Sequence, residues 1–294
     1  MTAADPQFPI ENCVAIRDNL ALNVRHWPGD GPPFVLLHGL ASNARTWDGV
    51  AQTLAQAGHA VYAVDQRGHG RSDKPDTGYD FVTVTEDLAL LLDALALETP
   101  IVAGQSWGGN VVLAFGAAYP NRARGLCFVD GGFLDLQERP ENTWERVSVD
   151  LRPPNLLGTP AEGMRQRMRA YHPDWTDAGI EATLNNFEIL ADGTIRPRLT
   201  LDRHMQILRA LWEQRPRELY GKVTAPVVIC PATSRNSPEW SERKRVQVAA
   251  AAESLARVTV HWFEETDHDI HVQKPGALAR VMLEELTQGI WCNA

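Results

Sequence analysis

Apolar, β-branched runs recur along the first half of the chain: FVLLH (34–38), HAVYAVD (59–65), PIVAG (100–104) and GLCFVD (125–130). Such runs, continuous rather than alternating, suit strands covered on both faces. Between them the hydrophobic period lengthens to that of a helix. Trp47, Val50, Ala51 and Leu54 mark one such face, and Leu88, Leu91, Leu92 and Leu95 mark another. VVLAFGAAY (111–119) predicts a third helix, ended by Pro120. Ahead of all these, NCVAIRD (12–18) and LALNVRHW (20–27) straddle Asn19 and predict a β-hairpin.

Strand–helix alternation of this kind implies a mostly parallel sheet with helices on both sides. The rhythm stops at Gly131. From there to about Arg215 no buried-strand run occurs, only helical patterns broken by prolines and by the turn ADGTIRP. It resumes with VVIC (227–230), a helical stretch over 240–255, RVTVHWF (257–263) and GALARVMLEEL (276–286). One core, residues 1–132 and 216–294, interrupted by a mainly helical insertion over 133–215, explains this better than two consecutive domains.

A chain of 294 residues can bury the core this requires. Its net charge of −9 disfavours nucleic acid as a partner, and the arginines of MRQRMRA (164–170) read as a solvated helix face. The opening MTAADPQFPI has no secretory-signal pattern, and no apolar run is long enough to span a membrane. Cys13, Cys127, Cys230 and Cys292 are scattered, and two of them lie within apolar runs, so a reducing cytoplasm is the expected compartment.

Chemistry enters at GQSWGGN, between the 100–104 strand and the following helix. Gly104, Ser106 and Gly108 fit G-x-S-x-G in the strand–turn–helix context of a nucleophile elbow. Glycines two residues to either side let a strained turn expose the serine, and the helix directs its positive end toward a developing oxyanion. An oxyanion hole needs two converging N–H groups. Trp107 can supply one and Leu40, after the 34–38 strand, the other. His38 reads as a residue that shapes this loop.

HGL (38–40), DQRGHGRSDKP (65–75), GQSWGG (104–109) and HDIHVQKP (268–275), in this order, resemble the α/β-hydrolase superfamily. The resemblance covers the core and leaves 133–215 largely unmatched. It implies an eight-stranded, mostly parallel sheet, a cap over the site and a Ser–His–acid triad. It further implies that the histidine stands seven positions before a proline, which selects His268 over His271. A metal site among Asp267, His268, Asp269 and His271 is disfavoured, and no cofactor is expected. In similar proteins the acid follows the strand corresponding to VVIC, yet Pro231–Pro238 contains no Asp or Glu. Some relatives carry it one strand earlier, which here is Asp130, with Glu239 as its rival. Asp65 resembles an element that orders its loop through Arg67 and nearby backbone.

In the insertion, Trp144, Trp175, Phe187 and Met205 are candidate substrate contacts, with the cap's own core as their alternative role. The Trp107 ring is expected near the acyl pocket. Glu138, Glu141 and Glu145 would matter only for a cationic substrate. The expected activity is metal-free serine hydrolysis of a small carboxylic ester, lactone or thioester with an apolar acyl portion, by a monomer or homodimer. A proline iminopeptidase-like activity, carbon–carbon bond hydrolysis, perhydrolysis and a ligand receptor on the same scaffold are the alternatives.

Overall fold

The computed structural model describes residues 8–139, 141–234 and 237–292. The hairpin forms as expected from β1 (Ile10–Arg17) and β2 (Leu20–Trp27), paired antiparallel. Then follow β3 (Gly31–Leu37), α1 (Asp48–Gln56), β4 (His59–Val64), α2 (Phe81–Ala94), β5 (Ile101–Gln105), α3 (Trp107–Ala118) and β6 (Gly125–Val129). The opening residues 1–7 of MTAADPQFPI, and Arg235 and Asn236 of the loop expected to lack an acid, lie outside the described residues.

The segment after β6 carries α4 (Trp144–Asp150), β7 (Thr159–Pro160), α5 (Ala161–Tyr171), α6 (Asp177–Leu184), β8 (Phe187–Ile189), β9 (Thr194–Pro197) and α7 (Leu201–Glu213). Its strands form a small antiparallel sheet, where the sequence suggested helices and a turn alone. With two to four residues each, they leave no hydrophobic run to read.

The core resumes with β10 (Val227–Cys230), β11 (Ala232–Thr233), α8 (Pro238–Ser254), β12 (Val258–Val260), β13 (Phe263–Glu264), α9 (Ile270–Gln273) and α10 (Pro275–Thr287). The single strand expected over 257–263 is therefore two. Beyond Val260 the chain leaves β10, and β13 pairs instead with β11.

The eight-stranded sheet runs β1-β2-β4-β3-β5-β6-β10-β12 and is parallel from β4 onward. Successive residues of its central strands face opposite sides, and both sides are buried. Val35, Leu37, Val102, Leu126, Phe128, Val227 and Ile229 pack with α2 and α3. Phe34, Leu36, Ile101, Ala103, Cys127, Val129 and Val228 pack with α1 and α10. At roughly 1.5–3 kcal/mol per buried large side chain, these two layers dominate the favourable side of folding. Among the described residues no helix is long and apolar enough to cross a membrane.

The insertion is tied to the core beside the 38–47 loop. Asn43 Nδ2 donates to Ala182 O at 2.8 Å and to Asn186 Oδ1 at 2.5 Å. Arg203 of α7 donates to the carbonyls of Lys74 and Pro75. Arg165 and Arg169 of α5 pair with Glu162, Glu181 and Asp177, so part of that basic face is engaged within the insertion.

His271 is packed against Trp47, with ring centres 4.6 Å apart, and both its nitrogens are buried without a hydrogen-bond partner among the described residues. Burial therefore pushes its pKa down to about 3. A depressed histidine contributes stability that is intact above its unfolded value near 6.5 and drains away as pH falls toward the folded value. The difference corresponds to about 5 kcal/mol. His271→Met should thus lose less stability than wild type between pH 7.5 and 4.5 in urea unfolding. Equal losses in the two proteins would contradict this.

Candidate active site

The register of the parallel strands brings distant parts of the chain to one edge. Leu37 pairs with Gly104, Gln105 with Val129, and Val129 with Cys230. Ser106 and Asp130 therefore leave adjacent strands at the same level, strands being about 4.8 Å apart. Their backbones follow the sheet one residue further, Ser106 N donating to Val129 O and Asp130 N to Cys230 O.

Both residues then turn sharply. Ser106 has φ 54° and ψ −122°, and Asp130 has φ 45°, conformations that non-glycine residues hold only under constraint. Glycines make the crossing possible. A Cβ on Gly104 would lie 2.2 Å from Gly108 O, and one on Gly131 would lie 2.2 Å from Ser106 O.

Asp130 is fully buried and its carboxylate is filled with donors. Its Oδ2 faces His268 Nδ1 at 2.5 Å, and its Oδ1 accepts from Ala232 N at 2.9 Å. Lys244 Nζ bridges both oxygens at 2.6 Å. Ala232 lies in the acid-free loop after β10, so that loop serves the carboxylate with its backbone. Glu239 is exposed in the first turn of α8.

Burial opposes protonation of His268, but the hydrogen bond and the negative charge of Asp130 outweigh it and raise the pKa. Nδ1–H donation to the carboxylate leaves Nε2 as the nitrogen free to accept a proton. Gln105 Nε2 donates to His268 O at 3.2 Å, linking the histidine loop to the residue before Ser106. No hydrogen bond joins the Ser106 hydroxyl to His268; such contacts often tighten only with a reacting group in place.

Two neutral histidines support the other wall. His38 Nε2 accepts from Gln66 N, and its Nδ1–H donates to Gly39 O at 2.8 Å. His69 Nε2 accepts from Ala41 N, and its Nδ1–H donates to Arg67 O. Burial lowers the pKa of both, which preserves these acceptors. The loop they hold includes Leu40. Neither the Leu40 nor the Trp107 amide donates a hydrogen bond among the described residues. Trp107 begins α3, where first-turn amides lack intrahelical partners.

Other sequence expectations need correction. The Trp107 ring is 1% exposed and stacks on His69 within the core, so it borders no open acyl pocket. Asp65 orders its loop through Ala44 N, Arg71 N and Asn23, whereas Arg67 pairs bidentately with Asp87. Trp175 packs with Ile180 and with Val272 of α9, joining the insertion to the core, and Phe187 packs with Met164, Leu184 and Ile195 in a cluster of the insertion. Trp144 faces Trp212 and the Arg209 guanidinium. Met205 is half-buried on α7.

The sequence reading missed Lys244 and Trp240. Trp240 sets its ring at right angles to His268, 6.4 Å between centres. It also borders a cavity of about 300 Å³ between α4 and α8, with Leu134, Val147 and Leu151. A larger cavity of about 470 Å³ lies by the C-terminal half of α3, remote from this constellation.

A family model described as the alpha/beta hydrolase family matches residues 34–281. Over 226 residues the chain is 30% identical to a 2-(acetamidomethylene)succinate hydrolase of Mesorhizobium japonicum, covering 71% of this chain and 73% of that protein. The crystal structure of an E-2-(acetamidomethylene)succinate hydrolase superposes with a TM-score of 0.72 at 25% identity, covering 93% of this chain and 97% of that one. A thioesterase domain from the curacin biosynthetic pathway shares the fold, with a TM-score of 0.75 at 18% identity over 94% and 99% of the two chains.

Asp130→Asn removes the main group that raises the His268 pKa and leaves burial and Lys244 opposed only by the more weakly acting Asp269. The imidazole, followed by ring-nitrogen NMR, should then titrate below its wild-type midpoint, whereas Glu239→Gln should leave it in place. The reverse pattern would move the acid to Glu239.

Proposed function

Because the chain belongs to the alpha/beta hydrolase family, we propose that it is a serine hydrolase of small carbonyl substrates, with Ser106, His268 and Asp130 as its triad. The observation that carries this reading is the contact between His268 Nδ1 and the buried Asp130 carboxylate at the strand edge that also bears Ser106.

His268 Nε2 takes the hydroxyl proton as Ser106 Oγ attacks the carbonyl carbon. The amides of Leu40 and Trp107 receive the oxyanion, where preorganised donors reduce the reorganisation needed. The tetrahedral adduct collapses, the leaving group departs with the proton from His268, and an acyl-serine remains. Water, deprotonated by the same imidazole, then releases the acid. Asp130 holds the tautomer and stabilises the imidazolium throughout.

The substrate class we favour is an ester, lactone or thioester with an apolar acyl portion. Trp144 and Met205 remain our proposed cap contacts, and 133–215 our proposed cap over a core of 1–132 and 216–294. Hydrolysis of a small amide is the second reading, favoured by the relative whose name specifies an acetamido compound. The aminopeptidase reading loses support because Glu138, one of the glutamates it needs, is engaged by Arg217 and Gln247. Four free cysteines fit the cytoplasm as its compartment.

A fluorophosphonate probe should label wild type and spare Ser106→Ala; equal labelling of both would remove the nucleophile. In a panel of p-nitrophenyl esters, thioesters and acetamides, Asp130→Asn should lower turnover of the preferred substrate by about 10⁴. Turnover near the wild-type rate would remove Asp130 from the mechanism.

A further inference from the structure

Lys244 is 3% exposed, and all three of its N–H groups are committed: one to each oxygen of Asp130 and one to Ala232 O at 2.8 Å. Its ammonium also lies 3.0 Å from the centre of the Trp240 ring. Packing alone would not call for this arrangement, since an apolar side chain of similar volume fills such a site without desolvating a charge. The ammonium stands nearly as close to the carboxylate as the imidazole does, at 2.6 Å against 2.5 Å.

We propose that Lys244 is a positioning residue that sets the proton affinity of His268 through Asp130. It locks the carboxylate in the orientation the imidazole needs and offsets part of the negative charge the imidazole feels. The second effect matters for a base. An imidazole facing an uncompensated buried carboxylate stays protonated to higher pH, so a smaller fraction of it can accept the hydroxyl proton near neutrality.

Among the described residues, the groups facing His268 are few enough to assign the effect. Asp130 comes from the end of β6, Lys244 from α8, and Asp269 and His271 from its own segment. Of these, Lys244 opposes the positive imidazolium directly, while Asp130 and Asp269 favour it. His271, held neutral by burial, adds no full charge at working pH. Burial lowers the Lys244 pKa to about 8, against the pull of Asp130, so the ammonium persists below that value and is lost above it.

The purpose assigned to Lys244 rests on the serine-hydrolase reading, but its test does not. Ring-nitrogen NMR follows the His268 titration in wild type, Lys244→Met and Lys244→Gln. Both variants drop the charge, and the glutamine keeps an N–H for Asp130 should the methionine protein fail to fold. The proton affinity of His268 should rise about tenfold, moving its midpoint up by about one pH unit. Fluorophosphonate labelling should slow most at pH 6, with the deficit narrowing above both midpoints, where the imidazole is neutral in either protein. A folded variant titrating His268 at the wild-type pH would overturn the inference and leave Lys244 a structural ion-pair partner. A wild type inert to the probe would instead count against the hydrolase reading, while the NMR midpoints still decide this one.

Discussion

A carboxylate with no exposed surface has to find all its partners inside the protein, and Asp130 thereby ties together four separate parts of the chain, its own included. Its own position comes from the end of β6, an amide from Ala232, an ammonium from α8 and an imidazole from the loop after β13. Removing one partner would leave the others committed to an incompletely compensated charge, which is among the costlier local changes a fold can suffer. Meeting this demand also places His268 at the sheet edge that carries Ser106.

The sheet supplies the rest by register. Because β3, β5, β6 and β10 run parallel and in step, the Leu40 loop, Ser106, Asp130 and Ala232 emerge side by side. Strain gathers at the same edge, in the positive φ angles of Ala41, Ser106 and Asp130, and the two packed faces of the sheet hold it there. Behind the Leu40 loop, His38 and His69 stay neutral through burial and act as fixed acceptors for Gln66 N and Ala41 N. The insertion joins this arrangement by gripping Asn43 and by packing Trp175 on Val272, four residues past His268.

Much of this was legible in the sequence because it is local. Continuous apolar runs announced the buried strands, and G-x-S-x-G announced the turn at Ser106. Asp130 emerged from a gap: an acid-free loop after β10 together with an acid ending the preceding strand. Long-range pairing was not legible. Lys244 sits in PEWSERKRVQ, where nothing local marks it, and only the folded chain brings it against Asp130. Arg67 was assigned to nearby Asp65, but its partner is Asp87 on α2. The strands of the insertion were too short to register a period. Its aromatic residues could not be divided between lining a pocket and filling a core until Phe187 was seen in a cluster of the insertion and Trp175 packed on Val272.

The central claim is that Ser106, His268 and Asp130 act on one carbonyl, with Leu40 and Trp107 holding its oxygen. A crystal structure of the protein phosphonylated on Ser106 tests this most directly. It should show a phosphonyl oxygen between the amides of Leu40 and Trp107, His268 Nε2 within hydrogen-bonding distance of the serine oxygen, and Nδ1 still on Asp130. An adduct on another residue, or an imidazole turned away from the serine, would contradict the account.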